Sequence, residues 1–236
     1  MLTSTLEQKT FHLTKKVSIE MILCPPGQFM MGSPDNEKDR YPDEGPQSLV
    51  TIEQPFWLGK YPVTQSQWKA VMGNNPSHFK GPDNPVEQVS WFDCKEFVNK
   101  LDCEFDLPTE AQWEYGCRAG TTTRFFFGSK EEDLKQYGWY YDNSNNRTHP
   151  VGQLKPNPWG FYDIVGNTWQ WCQDIYLSYP YRYTKLLDLL LPKDSSRILR
   201  GGSWFNLAYR CRSAYRRRLE PDVRGDLSGF RLSRIV

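Results

Sequence analysis

The stretch that decides the fold is PNPWGFYDIVGNTWQW, residues 156–171. It interleaves the turn formers Pro, Gly, Asn and Asp with large apolar side chains. Such a segment is buried only if its backbone polar groups find partners in a fixed tertiary frame. Gly166 and Asn167 suit a backbone with positive φ, and Trp169 and Trp171 share one face if they lie in a strand. The stretch therefore predicts a loop-rich core that aromatic side chains hold rigid.

The composition of the whole chain fits this prediction. Of the 236 residues, 38% are apolar and 15% are aromatic, and there are 17 glycines and 17 prolines. Aromatic side chains bury a large area each, so a core needs few aliphatic residues. The abundance of turn formers favours irregular backbone. The net charge of +1 provides no global field that would attract nucleic acid or an anionic membrane.

The sequence carries no sign of secretion or of a membrane span. Residues 1–16 lack the apolar stretch of a signal peptide, and no run of 18 apolar residues occurs. We therefore expect a cytoplasmic protein without membrane contact. The six cysteines are scattered and form no CxxC pair, which predicts buried thiols and neither a zinc site nor a disulfide framework.

Short strands and capped helices alternate along the chain. Strands are predicted over residues 17–25, 27–33 and 49–64. Helices are predicted after the caps Thr64, Ser90 and Thr109, with Asp93 and Gln112 completing two capping boxes. After residue 120 no helix exceeds a couple of turns, and residues 186–197 read as a surface excursion. We predict a single α+β domain over residues 1–236, with two or three helices around short antiparallel sheets and much irregular backbone.

Six ordered stretches of the chain resemble the formylglycine-generating-enzyme (sulfatase-modifying factor) family. They are GQFMMGS (27–33), KYPVTQSQW (60–68), NPVEQVSWFD (84–93), LPTEAQWEYGCRAG (107–120), residues 149–174 and residues 197–232. The resemblance runs from about residue 20 to the end of the chain. It implies a variant of the C-type lectin fold.

The resemblance also bears on whether the chain binds calcium. In family members the turn within residues 165–170 binds this ion. Val165, Gly166 and Thr168 can offer backbone carbonyls, but Gln170 stands where the family motif has Glu. A neutral amide is a weaker ligand than a carboxylate for a hard cation. We interpret the turn as a structural pin and predict no metal, with a calcium site as the alternative.

The family's oxidase binds copper(I) with two cysteines near the C-terminus and uses oxygen to convert a substrate cysteine into formylglycine. Counted from the GGSW turn, the second cysteine falls on Cys211, but the first falls on Asn206. An amide cannot replace a thiolate ligand for a soft metal. The branch with an iron site needs more histidines than His12, His78 and His149. We predict no enzyme, no catalytic residue and no cofactor; the copper oxidase stays an alternative.

Residues 200–231 resemble most closely the variable region of proteins that diversity-generating retroelements diversify. Those elements rewrite asparagine codons into many others. Against such a template, the following positions form a predicted ligand-binding set, which we call the variable set: Phe205, Asn206, Leu207, Tyr209, Arg210, Arg217, Leu219, Glu220, Val223, Gly225, Asp226 and Leu227. Between them, aromatic, glycine and arginine residues are expected to fix the backbone and saturate carbonyl groups.

These residues predict a recognition surface. Surface substitutions change stability little, and exposed aromatic and arginine side chains dominate binding energy. We expect the ligand to be a macromolecule of unknown identity, and specifically a protein. A flat face of apolar, aromatic and charged side chains suits a small molecule poorly, because small molecules usually need a concave pocket. The group Arg210, Arg217 and Arg218 would instead favour an acidic or nucleic-acid partner. Another alternative is a noncatalytic binding or structural family member without diversification, with Leu207, Leu219 and Leu227 in the core.

Overall fold

A computed structural model of the chain describes residues 6–101, 104–179 and 190–236. These residues form three α-helices, α1 (Gln65–Met72), α2 (Trp91–Asn99) and α3 (Glu110–Arg118). The strands are β1 (Gln8–His12), β2 (Ser18–Cys24), β3 (Gly27–Met31), β4 (Ser48–Ile52), β5 (Phe56–Gly59), β6 (Phe105–Asp106), β7 (Trp169–Ile175), β8 (Arg197–Arg200), β9 (Arg216–Leu219), β10 (Ser228–Phe230) and β11 (Ser233–Ile235). The predicted α+β class is confirmed.

The strands form three sheets. The first has the order β1-β2-β5-β11-β6, so the last strand of the chain lies between two strands from its first half. The second has the order β10-β7-β8-β9, in which β10 runs parallel to β7 and the other pairs are antiparallel. Strands β3 and β4 form a separate hairpin. Because β10 and β11 belong to different sheets, residues 228–235 tie the two larger sheets together.

Local sequence signals locate the helices. Thr64, Ser90 and Thr109 each form a capping box with the third residue of the helix that follows. Gly73 ends α1 in the left-handed conformation, at φ 83°. The predicted strand over 49–64 is divided into β4 and β5. Most of the predicted excursion at 186–197 lies outside the described residues, which resume at residue 190.

Buried ion pairs link α3 to the C-terminal segment. Arg200 contacts Glu110 at 2.9 Å and also pairs with Glu114, and all three side chains are fully buried. Arg216 binds both oxygens of Glu110, at 2.7 and 2.9 Å. Arg200 also donates to the backbone carbonyls of residues 213 and 214. Buried charges are stable only when paired and hydrogen-bonded, so these contacts fix the position of residues 200–216 against α3.

A third buried arginine joins the C-terminal segment to the N-terminal half. Arg212 contacts Glu44 and Glu37, each at 2.7 Å, and donates to the carbonyl oxygen of Asp39 at 2.7 Å. Burial raises the pKa of Glu37, and its hydrogen bond with Arg212 partly offsets that effect. These contacts hold the loop before β4 over the C-terminal segment.

The stretch 156–171 forms the centre of the molecule as predicted. Gly166 and Asn167 have φ values of 74° and 60°. The Asn167 side chain accepts from the His149 amide at 3.0 Å and donates to Asp163 at 3.0 Å. Trp169 lies in β7 with no exposed surface. The backbone amides of residues 166, 167 and 169 donate to the carbonyl oxygens of residues 201, 139 and 227 at 2.7–2.8 Å, so these donors have fixed partners.

The cysteines of the described residues are buried thiols without disulfides; they are Cys24, Cys94, Cys117, Cys172 and Cys211. Cys103 lies outside the described residues. Within the described ranges, every helix is too short or too polar to cross a bilayer.

Removing one arginine from the buried pairs should destabilise the fold strongly. Arg200→Met leaves the carboxylates of Glu110 and Glu114 under-compensated in the interior, which typically costs about 3–5 kcal/mol. As a matched control, Arg224→Met breaks an exposed pair with Asp93, which should cost less than about 1 kcal/mol. Urea unfolding of both variants checks this. Equal losses would contradict the role assigned to the buried pairs.

Candidate functional site

The C-terminal segment between β8 and β10 is built on a tight glycine turn. Gly201 and Gly202 have φ values of 98° and 77°. A Cβ atom at Gly202 would lie 2.5 Å from the Cys211 sulfur, so only glycine fits there. Trp204 follows with its ring buried, and its indole donates to the carbonyl oxygen of Asp226 at 3.0 Å. This hydrogen bond joins the two ends of the predicted surface.

Most members of the variable set reach solvent. Phe205 and Leu207 are 52% and 50% exposed. Glu220 and Val223 are also exposed. Seven further members are half-buried: Tyr209, Arg210, Arg217, Leu219, Gly225, Asp226 and Leu227. Among these, Leu219 and Leu227 pack against the aromatic core, so they contribute to folding as well as to the surface.

Asn206 differs from the prediction. It is only 4% exposed, and its side-chain oxygen accepts from the Ser203 hydroxyl at 2.7 Å. Its backbone carbonyl accepts from the Tyr141 amide at 3.0 Å. Satisfying these groups keeps the turn closed, so Asn206 belongs to the supporting frame and not to the exposed face.

Two exposed tyrosines from distant parts of the chain complete the surface. Tyr141, 51% exposed, has its ring 6.2 Å from that of Phe205. Tyr41, 42% exposed, lies 5.4 Å from Tyr215. Partial burial, together with a hydrogen bond to Tyr209, raises the pKa of Tyr41, so this phenol is protonated at neutral pH. Sequence reasoning missed both residues, because no local pattern indicates contact across such separations.

The three arginines singled out in the sequence do not share one face. The Arg217 guanidinium lies over the Trp169 ring, 5.5 Å from its centroid. The Arg218 guanidinium lies 4.9 Å from the centroid of the Tyr176 ring, and the Arg216 guanidinium lies at the same distance from that ring. Alternate residues of a strand point to opposite faces. Strand β9 therefore directs Arg217 to the surface that carries Tyr215 and directs Arg218 away from it.

The sequence of the chain matches a known protein family. The sulfatase-modifying factor enzyme 1-like domain matches residues 7–236. The chain belongs to this family. Its members include the formylglycine-generating enzyme of Bos taurus, 32% identical over 75% of this chain and 50% of that protein. The chain thus spans about half the length of that enzyme. The chaperone protein LppX of Paenibacillus barcinonensis is 29% identical over 92% of this chain and 90% of that protein.

Solved structures place the fold within the C-type-lectin-like group. Variable protein 1 of Treponema denticola superimposes with a TM-score of 0.84 at 29% identity, covering 98% of this chain and 100% of that one. PvdO from Pseudomonas aeruginosa gives a TM-score of 0.81 at 29% identity, covering 97% and 98%. The resemblance to this family and to variable proteins is confirmed.

The residues at the family's copper position do not fit copper. Burial raises the pKa of Cys211 to about 12, so a copper ion would have to displace a proton from its sulfur. The Asn206 amide oxygen is held by Ser203. Copper(I) sites need thiolate or thioether ligands. Within the described residues, no group of three or more His, Cys, Asp or Glu side chains is placed so that it could hold a metal ion.

Gln170, in the predicted alternative calcium turn, does not fit a cation either. The Gln170 side-chain oxygen accepts from Trp113 at 2.9 Å and from Arg231 at 3.0 Å. Its amide nitrogen donates to the carbonyl oxygen of Asp163 at 2.8 Å. The oxygen that would bind calcium is already used, and the adjacent guanidinium would repel the ion. Gln170 therefore acts as a structural pin.

A buried carboxyl group lies beneath one end of the surface. One Glu87 oxygen accepts from the Phe79 amide at 2.8 Å. The other has no hydrogen-bond partner among the described residues. Burial raises the pKa of Glu87 to about 7, and Asp226 adds to the effect while His78 opposes it. The ring of Phe79 packs on Trp204 at 5.3 Å, so Glu87 supports the base of the surface.

Ionisation of Glu87 should reduce stability. Its carboxyl binds protons more tightly in the folded chain than in the unfolded chain, so stability falls as pH rises from 4.5 to about 7. Glu87→Gln removes this loss, and its stability relative to the wild type should rise by about 2 kcal/mol across that interval. Thermal melts of both proteins between pH 5 and pH 8 measure the difference. A difference independent of pH would contradict the raised pKa.

The exposed apolar side chains should contribute little to folding. Phe205→Ala with Leu207→Ala should change the free energy of unfolding by less than about 0.5 kcal/mol, because both side chains already contact water. The control Trp204→Ala removes a buried ring and should cost about 3 kcal/mol. Denaturant unfolding compares the two. A large loss in the double variant would show that these side chains are core residues.

Proposed function

We propose that this chain is a noncatalytic binding protein that recognises a protein ligand through the variable set without Asn206, extended by Tyr41 and Tyr141. We call this face the recognition surface. The observation that carries the proposal is the division of residues 200–231 into buried frame positions and solvent-reaching positions between them. Phe205 and Leu207 alternate with the buried residues Trp204, Asn206 and Ala208.

The chemistry of the exposed positions supports binding. Phe205, Leu207 and Tyr141 form an exposed apolar and aromatic group on a rigid backbone. Aromatic and arginine side chains supply most of the free energy in protein interfaces. A rigid frame also lowers the entropy lost when a ligand binds. The surface therefore has both the side chains and the stiffness that recognition requires.

The proposal includes diversification of these positions by a retroelement. It is supported by the similarity to variable protein 1 of Treponema denticola, which covers 98% of this chain. It is also supported by the physical independence of the exposed side chains from the frame. Arg212, Arg216 and Arg231 are buried and paired or bonded to backbone carbonyls, so exchange of their exposed neighbours leaves the frame intact.

A comparison of the 3′ end of the gene between closely related strains tests the proposed diversification. We expect substitutions to concentrate in the codons of the recognition surface within residues 205–227, while codons of the frame, such as Arg212 and Arg216, stay unchanged. Codons of β1 and β2 serve as the background. Substitutions spread evenly across both classes of codon would contradict the proposal.

Similarity to formylglycine-generating enzymes supports the oxidase as a second candidate. We expect no oxygen-dependent conversion of a cysteine peptide when the protein is supplied with copper(I), because Asn206 stands where the family has the first of its two copper-binding cysteines. Mass spectrometry of the peptide measures conversion, with a formylglycine-generating enzyme as the positive control. An Asn206→Cys variant tests whether that position alone limits copper binding. Conversion by the wild type would overturn the noncatalytic assignment.

A further inference from the structure

The recognition surface contains two arginines that differ from the arginines of the frame. Arg212 and Arg216 are fully paired with carboxylates. Among the described residues, no carboxylate forms an ion pair with Arg210 or Arg217, which we call the arginine pair. Instead, Arg210 donates to the Tyr209 hydroxyl at 3.1 Å, and Arg217 lies over Trp169.

The arginine pair is held in an environment that favours an incoming anion. Arg210 lies over the Tyr209 ring, the Tyr209 ring is 6.4 Å from that of Tyr215, and the Tyr215 ring is 5.7 Å from Trp169 beneath Arg217, so both guanidinium groups lie on one cluster of aromatic rings. Burial lowers the pKa of Arg217, and the nearby charge of Arg210 lowers it further. Two like charges that are partly removed from water repel each other, and a bound anion relieves that repulsion. The hydroxyl groups of Tyr41 and Tyr209 lie beside Arg210. These phenols add donors that can hydrogen-bond an oxyanion.

Resting on the proposed function, the structure assigns the arginine pair as an anion subsite that receives an acidic side chain of a partner protein. Guanidinium groups bind carboxylates with short, charge-assisted hydrogen bonds. The adjoining apolar side chains Phe205 and Leu207 are exposed. An acidic residue beside apolar residues of the partner would therefore match both parts of the surface.

The remaining charges of the segment favour a protein over a nucleic acid. Glu220 and Asp222 are exposed and Asp226 is partly exposed. Binding of a polyanion requires several neutralised phosphates along an extended path. Here carboxylates follow the arginine pair in the sequence, at positions 220, 222 and 226, and would repel such a ligand. The arrangement suits one localised negative charge.

Random peptides displayed on phage and selected on immobilised protein test this subsite. Peptides recovered on the wild type should be rich in Asp and Glu beside apolar residues. The variant Arg210→Gln with Arg217→Met should lose this enrichment and weaken binding on the order of tenfold, as expected for loss of a charge-assisted hydrogen bond. Methionine at position 217 keeps an apolar cover over Trp169. If the double variant melts early, Arg210→Gln alone is compared with the wild type.

The matched control is Arg218→Gln, because Arg218 is exposed but lies on the opposite face of β9. It should retain the acidic peptides. Selected peptides without acidic enrichment, or equal losses in both variants, would overturn the subsite. If the selected peptides lack acidic enrichment but still need Phe205 and Leu207 for binding, the subsite fails and the proposed function stands. If no recovered peptide depends on either group, both fail. Tighter binding of heparin or a single-stranded oligonucleotide, abolished in the double variant, would replace the protein ligand with a polyanion.

Discussion

The fold depends on guanidinium groups buried between the C-terminal segment and the first half of the chain. Arg200 and Arg216 converge on Glu110, and Arg212 binds Glu44. Each guanidinium also saturates backbone carbonyls that no sheet would satisfy. A buried unpaired charge is costly, so each guanidinium must meet its carboxylate when the C-terminal segment is buried. They allow a segment with little regular structure to hold one conformation.

This constraint separates stability from recognition within one stretch of sequence. The frame uses side chains that point inward from β8 and β9 and from the glycine turn. The outward side chains contact water, the aromatic groups around Tyr141 and Tyr41, or each other. Their exchange changes few buried contacts, except at Leu219 and Leu227, which cover part of the core. Substitutions therefore destabilise the fold least at the positions that are proposed to face a partner.

Local signals in the sequence predicted much of the fold and only part of the surface. The capping residues Thr64, Ser90 and Thr109 place the helices because each cap is satisfied within one turn. Gly166 and Asn167 likewise reveal their backbone conformation through their own chemistry. The burial of Asn206 was not predicted, because it depends on contacts with Ser203 and Tyr141. The contacts of Tyr41, and the pairing of Arg200 with α3, join distant residues, so the sequence could not predict them.

The buried arginine frame holds the backbone while the outward positions tolerate exchange. Two libraries test it most directly. One randomises the codons of Phe205, Leu207, Arg210, Glu220 and Val223. The other randomises those of Arg200, Arg212 and Arg216. The surviving fraction of each is measured by protease resistance of the displayed protein. Most members of the first library should resist cleavage, and few members of the second should. Equal survival of the two libraries would contradict it.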